Sequence, residues 1–223
     1  MVLGLADAAA ADRFKGLKHR AHGGHKIYFA PAEMLGIAAE WILVRDAGEL
    51  KDLRTSTTSE PRDLPPAADE GLRRLTQVSI ATRDVSAVAQ RWAGLLGVPP
   101  PKVNISEPDP KQLFRGHHSA DRFTYTNIAF GPVAIEMLNS AGSDGTLVQQ
   151  YLDTYGEGVQ HVAFNVNDMD VAVQQFQRAH LPVAMMVRSQ ADMKINFVQA
   201  ADKLGADVEL IWRAPAASPT IQR

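Results

Sequence analysis

The chain contains no cysteine. That excludes disulfides, thiolate metal sites and cysteine nucleophiles, so any metal ion must be held by oxygen and imidazole nitrogen. No run approaches the roughly 18 apolar residues of a membrane span. The opening "MVLGLADAAAA" lacks the basic region and long apolar stretch of a signal peptide. Charge of one sign is also missing. A net charge of -2 over 223 residues favours neither nucleic acid nor an acidic membrane as partner. The expectation is a soluble cytoplasmic protein. What is present is 45% apolar residues, enough for one large domain or two small ones.

The polar, Pro/Ser/Thr-rich stretch after residue 45 reads as a linker, assigned to 55–72. It separates a first unit over 1–54 from a second over 73–213, and 214–223 reads as a loose tail. The second unit is an internal duplication. "QVSIATRDVSAVAQRW", from Gln77, aligns without a gap on "HVAFNVNDMDVAVQQF", from His161. Each copy begins with strand-like alternation, with Val78 and Ile80 mirroring Val162 and Phe164. Each strand ends at an aspartate, Asp84 or Asp168, suited to cap the next helix. The helices carry apolar residues at helical spacing: Val85, Val88, Ala89 and Trp92, then Met169, Ala172, Val173 and Phe176.

Short strands follow in both copies, with a glycine (Gly131, Gly205) turning the chain into a final strand that carries one glutamate among aliphatics. These are Glu136 in "VAIEML" and Glu209 in "DVELIW". The fold class is therefore α+β, with modules 73–140 and 156–213 each reading β-α-β-β-β. The first unit resembles the back half of such a repeat: "KIYFAPAEMLGIAAEWIL" aligns with "KINFVQAADKLGADVELIW" across one gap, placing Glu40 on Glu209. No first strand is visible ahead of it, so the front half is expected to be missing or very short.

Four polar residues stand at equivalent places in the two complete copies: Gln77 and Glu136, His161 and Glu209. An amide oxygen, two carboxylates and an imidazole suit a divalent cation, and two carboxylates cancel its charge. The set accommodates Zn, Ni, Co, Mn or Fe(II) without choosing among them. Strand parity makes Ser79, Asn127, Ala163, Asn165 and Asn196 candidates to line the cavity. The loop over 98–127 carries Lys102, Lys111, Arg115, His117, His118 and Arg122, suited to a carboxylate or to thioester phosphates at the cleft mouth. "KHRAHGGHK" places His19, His22 and His25 three apart, and a polar turn between helix and strand explains it better than a zinc site.

The stretches "LTQVSIATRDV", "GPVAIEML", "GEGVQHVAFNVNDMDVAV" and "LGADVELIW" together resemble the glyoxalase/bleomycin-resistance/extradiol-dioxygenase superfamily, also called vicinal oxygen chelate proteins. "YGEGVQHVAFNVNDMD" is most similar to lactoylglutathione lyases and methylmalonyl-CoA epimerases. The resemblance implies paired βαβββ modules curling around a metal cleft, with Gln77, Glu136, His161 and Glu209 as ligands. It implies a metal-dependent isomerase, epimerase or lyase that removes a proton next to a carbonyl, with Glu209 and then Glu136 as the base. The partner implied is a small-molecule carbonyl substrate, a thioester included. Oligomeric state stays open, a homodimer included. Two other readings compete. A ring-cleaving dioxygenase is disfavoured by Gln77 in place of a histidine, and a non-catalytic binding or resistance protein is disfavoured by Glu136 and Glu209.

Overall fold

The computed structural model describes residues 2–5, 19–22, 26–29, 39–43, 72–130, 133–142, 145–188 and 191–214. Near the N-terminus four short strands form a sheet of their own. They are β1 (Val2–Leu5), β2 (His19–His22), β3 (Lys26–Phe29) and β4 (Ala39–Leu43), in the order β1-β4-β3-β2. β1 runs parallel to β4, whereas β3 is antiparallel to both β2 and β4. The sequence shows no first strand ahead of this unit, where the structure has β1. "VLGL" is only four residues long and too short to show alternation. His19 and His22 also fall on a strand, not in the expected turn, because they pair with Phe29 and Lys26 across a hairpin. His25, Gly131, the linker up to residue 71 and the tail from residue 215 lie outside the described residues.

The duplicated unit builds a second sheet. Its first module comprises β5 (Leu72–Ala81), α1 (Val85–Leu96), β6 (Asn104–Ile105), β9 (Phe123–Phe130) and β10 (Val133–Ser140), with β7 (Leu113–Phe114) and β8 (His117–His118) inserted between β6 and β9. Helix α2 (Leu147–Tyr155) follows. The second module is β11 (Gly158–Val166), α3 (Met169–Arg178), β12 (Val183–Val187), β13 (Met193–Val198), the short α4 (Ala201–Leu204) and β14 (Asp207–Arg213). The strand order is β6-β9-β10-β5-β11-β14-β13-β12-β7-β8. Within each module the first strand is parallel to the last, β5 to β10 and β11 to β14. The two first strands meet antiparallel in the centre. The four strands carrying Glu136, Gln77, His161 and Glu209 are therefore consecutive neighbours.

A covalent constraint curls this sheet. β6 and β7 are eight sheet positions apart, about 38 Å if the strands lay flat at ~4.8 Å spacing. Yet the chain passes from Ile105 to Leu113 in eight steps, which reach at most about 29 Å when fully extended. The sheet closes into a trough, and residues 106–112 strap its two edges together. Asp109, buried in the strap, accepts the backbone N–H groups of Lys111 and Arg188 at 2.8 and 2.6 Å.

Helices α1 and α3 cover the outer face for the reasons their sequences give. Asp84 accepts from Ala87 N, and Asp168 from Asp170 N and Val171 N, so each aspartate caps the helix after its strand. Val85, Val88, Ala89 and Trp92 of α1 are buried, Trp92 completely. On α3, Met169 and Ala172 pack with Val166, Val208 and Leu210, with Val173 and Phe176 at the margin. Gly205 turns the chain into β14 with φ +83°, a left-handed conformation that costs other residues roughly 1–2 kcal/mol. Helix α2 was not foreseen. It sits on the inner face, where Val148 and Leu152 pack on Ala81 and Leu138 and close one end of the trough.

Candidate active site

Side-chain parity sends Gln77 and Ser79 of β5 to the inner face. In the parallel register Ser79 stands opposite Glu136, and in the antiparallel one it stands opposite His161. Ala163 stands opposite Glu209. Curling of the central strands then brings long side chains from non-adjacent strands together. His161 Nε2 lies 3.2 Å from Glu209 Oε2 and 3.7 Å from Glu136 Oε2. Glu136 Oε2 accepts from Ser79 Oγ at 2.7 Å and from Gln77 Nε2 at 2.8 Å. The same Gln77 nitrogen donates to Ser79 Oγ at 2.9 Å. All four residues singled out as ligands thus converge, joined by Ser79.

The imidazole is tightly held. His161 is 1% exposed, its ring meets Phe197 edge-on at 5.1 Å, and its Nδ1 is 2.6 Å from Gln160 Oε1. Gln160 Nε2 donates to Asp207 Oδ2 at 2.8 Å, and Asp207 Oδ1 accepts from Ala200 N and Ala201 N at 2.7 and 2.9 Å. At the other edge of the ring, His161 Nε2 and Glu209 Oε2 are buried with no hydrogen-bond partner, because their 3.2 Å contact lacks hydrogen-bond alignment.

The electrostatics follow from burial. Desolvation pushes the Glu136 carboxyl up to about 7, with Glu209 adding to the rise, while His161 and donors from Ser79 and Asn127 hold it back. Burial alone would lower His161. The contact with Glu209 and the charges of Glu209, Glu136 and Asp207 outweigh that and hold it above its ordinary value. Asp207 is raised by burial, against the pull of the Ala200 and Ala201 amides, Gln160 and His161.

A divalent cation suits this donor set. A buried imidazole nitrogen and two carboxylate oxygens within 3.7 Å of that nitrogen present acceptors to one another. Ligands about 2.1 Å from one ion in octahedral array sit about 3 Å apart, close to these separations. Among the described residues no three His, Cys, Asp or Glu groups, these included, already stand as a cage for an ion, so the side chains would have to draw in around it. Gln77 presents its nitrogen here, so ligation through oxygen requires its amide to turn over, after which Ser79 keeps a partner in Glu136.

Of the residues expected to line the cavity, Ser79 and Ala163 lie at the cluster, and Asn127 stands opposite Glu136 in register. Asn165 follows Ala163 at the same parity, opposite Ile211. Asn196 is corrected. It pairs in register with Leu210 on the outer face and accepts from Arg188 Nη2 at 2.6 Å, while its neighbour Phe197 faces His161. The expected anion-binding loop instead contains β6, the strap, the β7–β8 hairpin and the start of β9. Arg122 donates to the Ser106 carbonyl and Arg115 to Gln150, and Lys102, Lys111, His117 and His118 are exposed. Gln160, Asp207 and Phe197 were missed by the sequence reading. Regular alternation puts Gln160 on the outer face, and only a bulge turns it inward.

Among the described residues no helix is long and apolar enough to cross a membrane. No curated protein matches the chain. Solved structures do. Methylmalonyl-CoA epimerase from Mycobacterium tuberculosis is 19% identical, with a TM-score of 0.46 over 70% of this chain and 97% of that one. A variant of the Streptomyces coelicolor methylmalonyl-CoA epimerase, in complex with 2-nitronate-propionyl-CoA, is 22% identical, with a TM-score of 0.47 over 66% and 99%. A mutant of 4-hydroxymandelate synthase from Streptomyces coelicolor is 16% identical, with a TM-score of 0.55 over 97% of this chain and 70% of that one. That last likeness shows a shared fold. The model of the Glyoxalase/Bleomycin resistance protein/Dioxygenase superfamily matches residues 76–197, more than half of the sequence. With paired βαβββ modules around an inner polar cluster, the chain belongs to that superfamily.

Proposed function

We propose that the protein is a metal-dependent isomerase, epimerase or lyase that removes a proton from carbon next to a carbonyl. The observation that carries this reading is the pair of buried, unpartnered atoms His161 Nε2 and Glu209 Oε2, 3.2 Å apart, with Glu136 Oε2 3.7 Å from the same nitrogen. Gln77, Glu136, His161 and Glu209 would hold the ion, which supplies Lewis acidity to a carbonyl oxygen when bound. Glu209 is the base. Its Oε2 accepts no hydrogen bond and is open to a substrate proton, whereas donors from Ser79 and Gln77 already occupy Glu136 Oε2. Glu209 takes the α-proton and returns it to the same carbon or a neighbouring one. Trough walls and α2 limit water access while the carbanion equivalent exists. The substrate is a small carbonyl compound with an acidic α-hydrogen, thioesters included.

Elemental analysis of purified protein tests the ion, and deuterium uptake from D2O into candidate α-acidic thioesters and hydroxycarbonyl compounds tests the reaction. The reading expects stoichiometric metal in wild type, its loss in His161→Ala, and exchange without oxygen consumption. Oxygen uptake coupled to turnover would instead establish the dioxygenase reading. Ligand binding without metal or exchange would establish a binding protein.

A further inference from the structure

Gln160 is fully buried, yet strand parity assigns it to the same face as Val162 and Phe164. Its position is made by a bulge. Ile80 pairs with Val159 and the adjacent Ser79 pairs with His161, so β11 spends one more residue than β5 there. The extra residue turns inward and its amide sits between the His161 ring and the Asp207 carboxylate. Donor and acceptor identities then propagate in one direction. Asp207 Oδ1 is committed to two backbone N–H donors at the start of α4, and Oδ2 faces Gln160 as an acceptor. Only the amide nitrogen of Gln160 can meet it, so the amide oxygen must face His161 Nδ1. That oxygen can only accept, so Nδ1 must carry hydrogen. In the neutral ring, Nε2 is then a bare lone pair.

We infer that Gln160 and Asp207 are positioning residues that lock His161 in its Nδ1–H form and present the Nε2 lone pair to the space shared with Glu136 and Glu209. This deepens the metal reading above and rests on it only for the identity of what the lone pair binds. Partners that fix a ligating histidine from behind typically change metal affinity about 10- to 100-fold when removed. The other tautomer would place an N–H 3.2 Å from Glu209 Oε2 and remove the imidazole as a ligand.

The test is 15N NMR of the His161 ring in metal-free protein at alkaline pH, where the ring is neutral, paired with Zn2+ affinity by chelator competition. Wild type is expected to show hydrogen on Nδ1 and none on Nε2. Gln160→Leu is expected to give mixed tautomers and to weaken Zn2+ binding about 10- to 100-fold. The double variant Gln160→Glu with Asp207→Asn reverses the bond between the two residues yet still offers an oxygen to Nδ1. It is expected to restore both the tautomer and the affinity. Hydrogen on Nε2 in wild type overturns the inference without any variant having to fold. So does an unchanged Nδ1–H form in Gln160→Leu, or a double variant that folds and does not recover. If the tautomer responds as expected while Zn2+ binds neither wild type nor variant, the positioning role stands and the metal reading fails.

Discussion

Ser79 and Glu136 stand opposite one another on parallel strands, and the serine hydroxyl donates to Glu136 Oε2 at 2.7 Å. This contact holds one acid of the cluster in place by a means independent of any cation. Ser79 is completely buried, so the hydroxyl cannot be replaced by solvent. Ser79→Ala should destabilise metal-free protein by about 1–3 kcal/mol at pH 8, where Glu136 is ionised, and by less at pH 5. Urea unfolding in chelator at the two pH values measures this. Equal losses at both would mean that the hydroxyl serves packing and not the carboxylate.

The metal-free protein should lose stability as pH rises. Glu136, His161 and Asp207 all have folded-state values above their ordinary ones, so each contributes stability at low pH that disappears as pH climbs through its folded value. For Glu136 the window runs from its ordinary value of 4.5 to about 7, a shift worth about 3 kcal/mol. Chemical denaturation between pH 5 and 8.5 should show this decline, and Glu136→Gln should flatten it. A curve that rises across that range would contradict the assignment.

A bound cation should reverse the trend, because it neutralises the carboxylates that burial disfavours. Saturating divalent metal at about 100 times its Kd adds about 2.7 kcal/mol. The gain should be larger at pH 8 than at pH 6, since ligation requires His161 neutral and Glu136 ionised. Thermal melts with and without Zn2+, Ni2+ or Mn2+ provide the readout, with His161→Ala as the variant expected to show no shift.

Glu209→Gln should cut proton exchange by about 100- to 10,000-fold, the usual contribution of a positioned general base. Metal should still be retained through Glu136, His161 and the amide oxygens. Full turnover in a metal-loaded Glu209→Gln protein would remove Glu209 from the chemistry and leave Glu136 as the candidate.

Leu210, completely buried between β14 and α3, should cost about 2–5 kcal/mol when truncated to alanine. It points away from Glu209 on the same strand, so Leu210→Ala should lower the unfolding midpoint while metal stoichiometry of the folded fraction stays unchanged. Loss of metal from that folded fraction would show that the two faces of β14 are not independent.

The duplication was legible because each module repeats local rules. Alternation marked β5 and β11, Asp84 and Asp168 marked the helix starts, and a lone glutamate marked each final strand. Gln77, Glu136, His161 and Glu209 could be named in advance because equivalent positions in two copies carried polar side chains where aliphatics were expected. Their convergence was implied by symmetry but not by distance. Helix α2 carried readable signals, with Thr146 as cap and apolar residues at 147, 148, 151 and 152, and these went unread between the modules.

The sequence by itself determined periodicity, caps and the chemical identity of the clustered groups, because these depend on neighbours a few residues away. Tertiary structure decided which groups touch. The bulge that turns Gln160 beside His161 exists only because β5 pairs with β11, and parity within one strand cannot reveal it. Phe197, not Asn196, faces the imidazole because the register with β14 sets which side of β13 looks inward. The trough itself comes from a short strap joining distant sheet edges, a long-range constraint that no local pattern encodes.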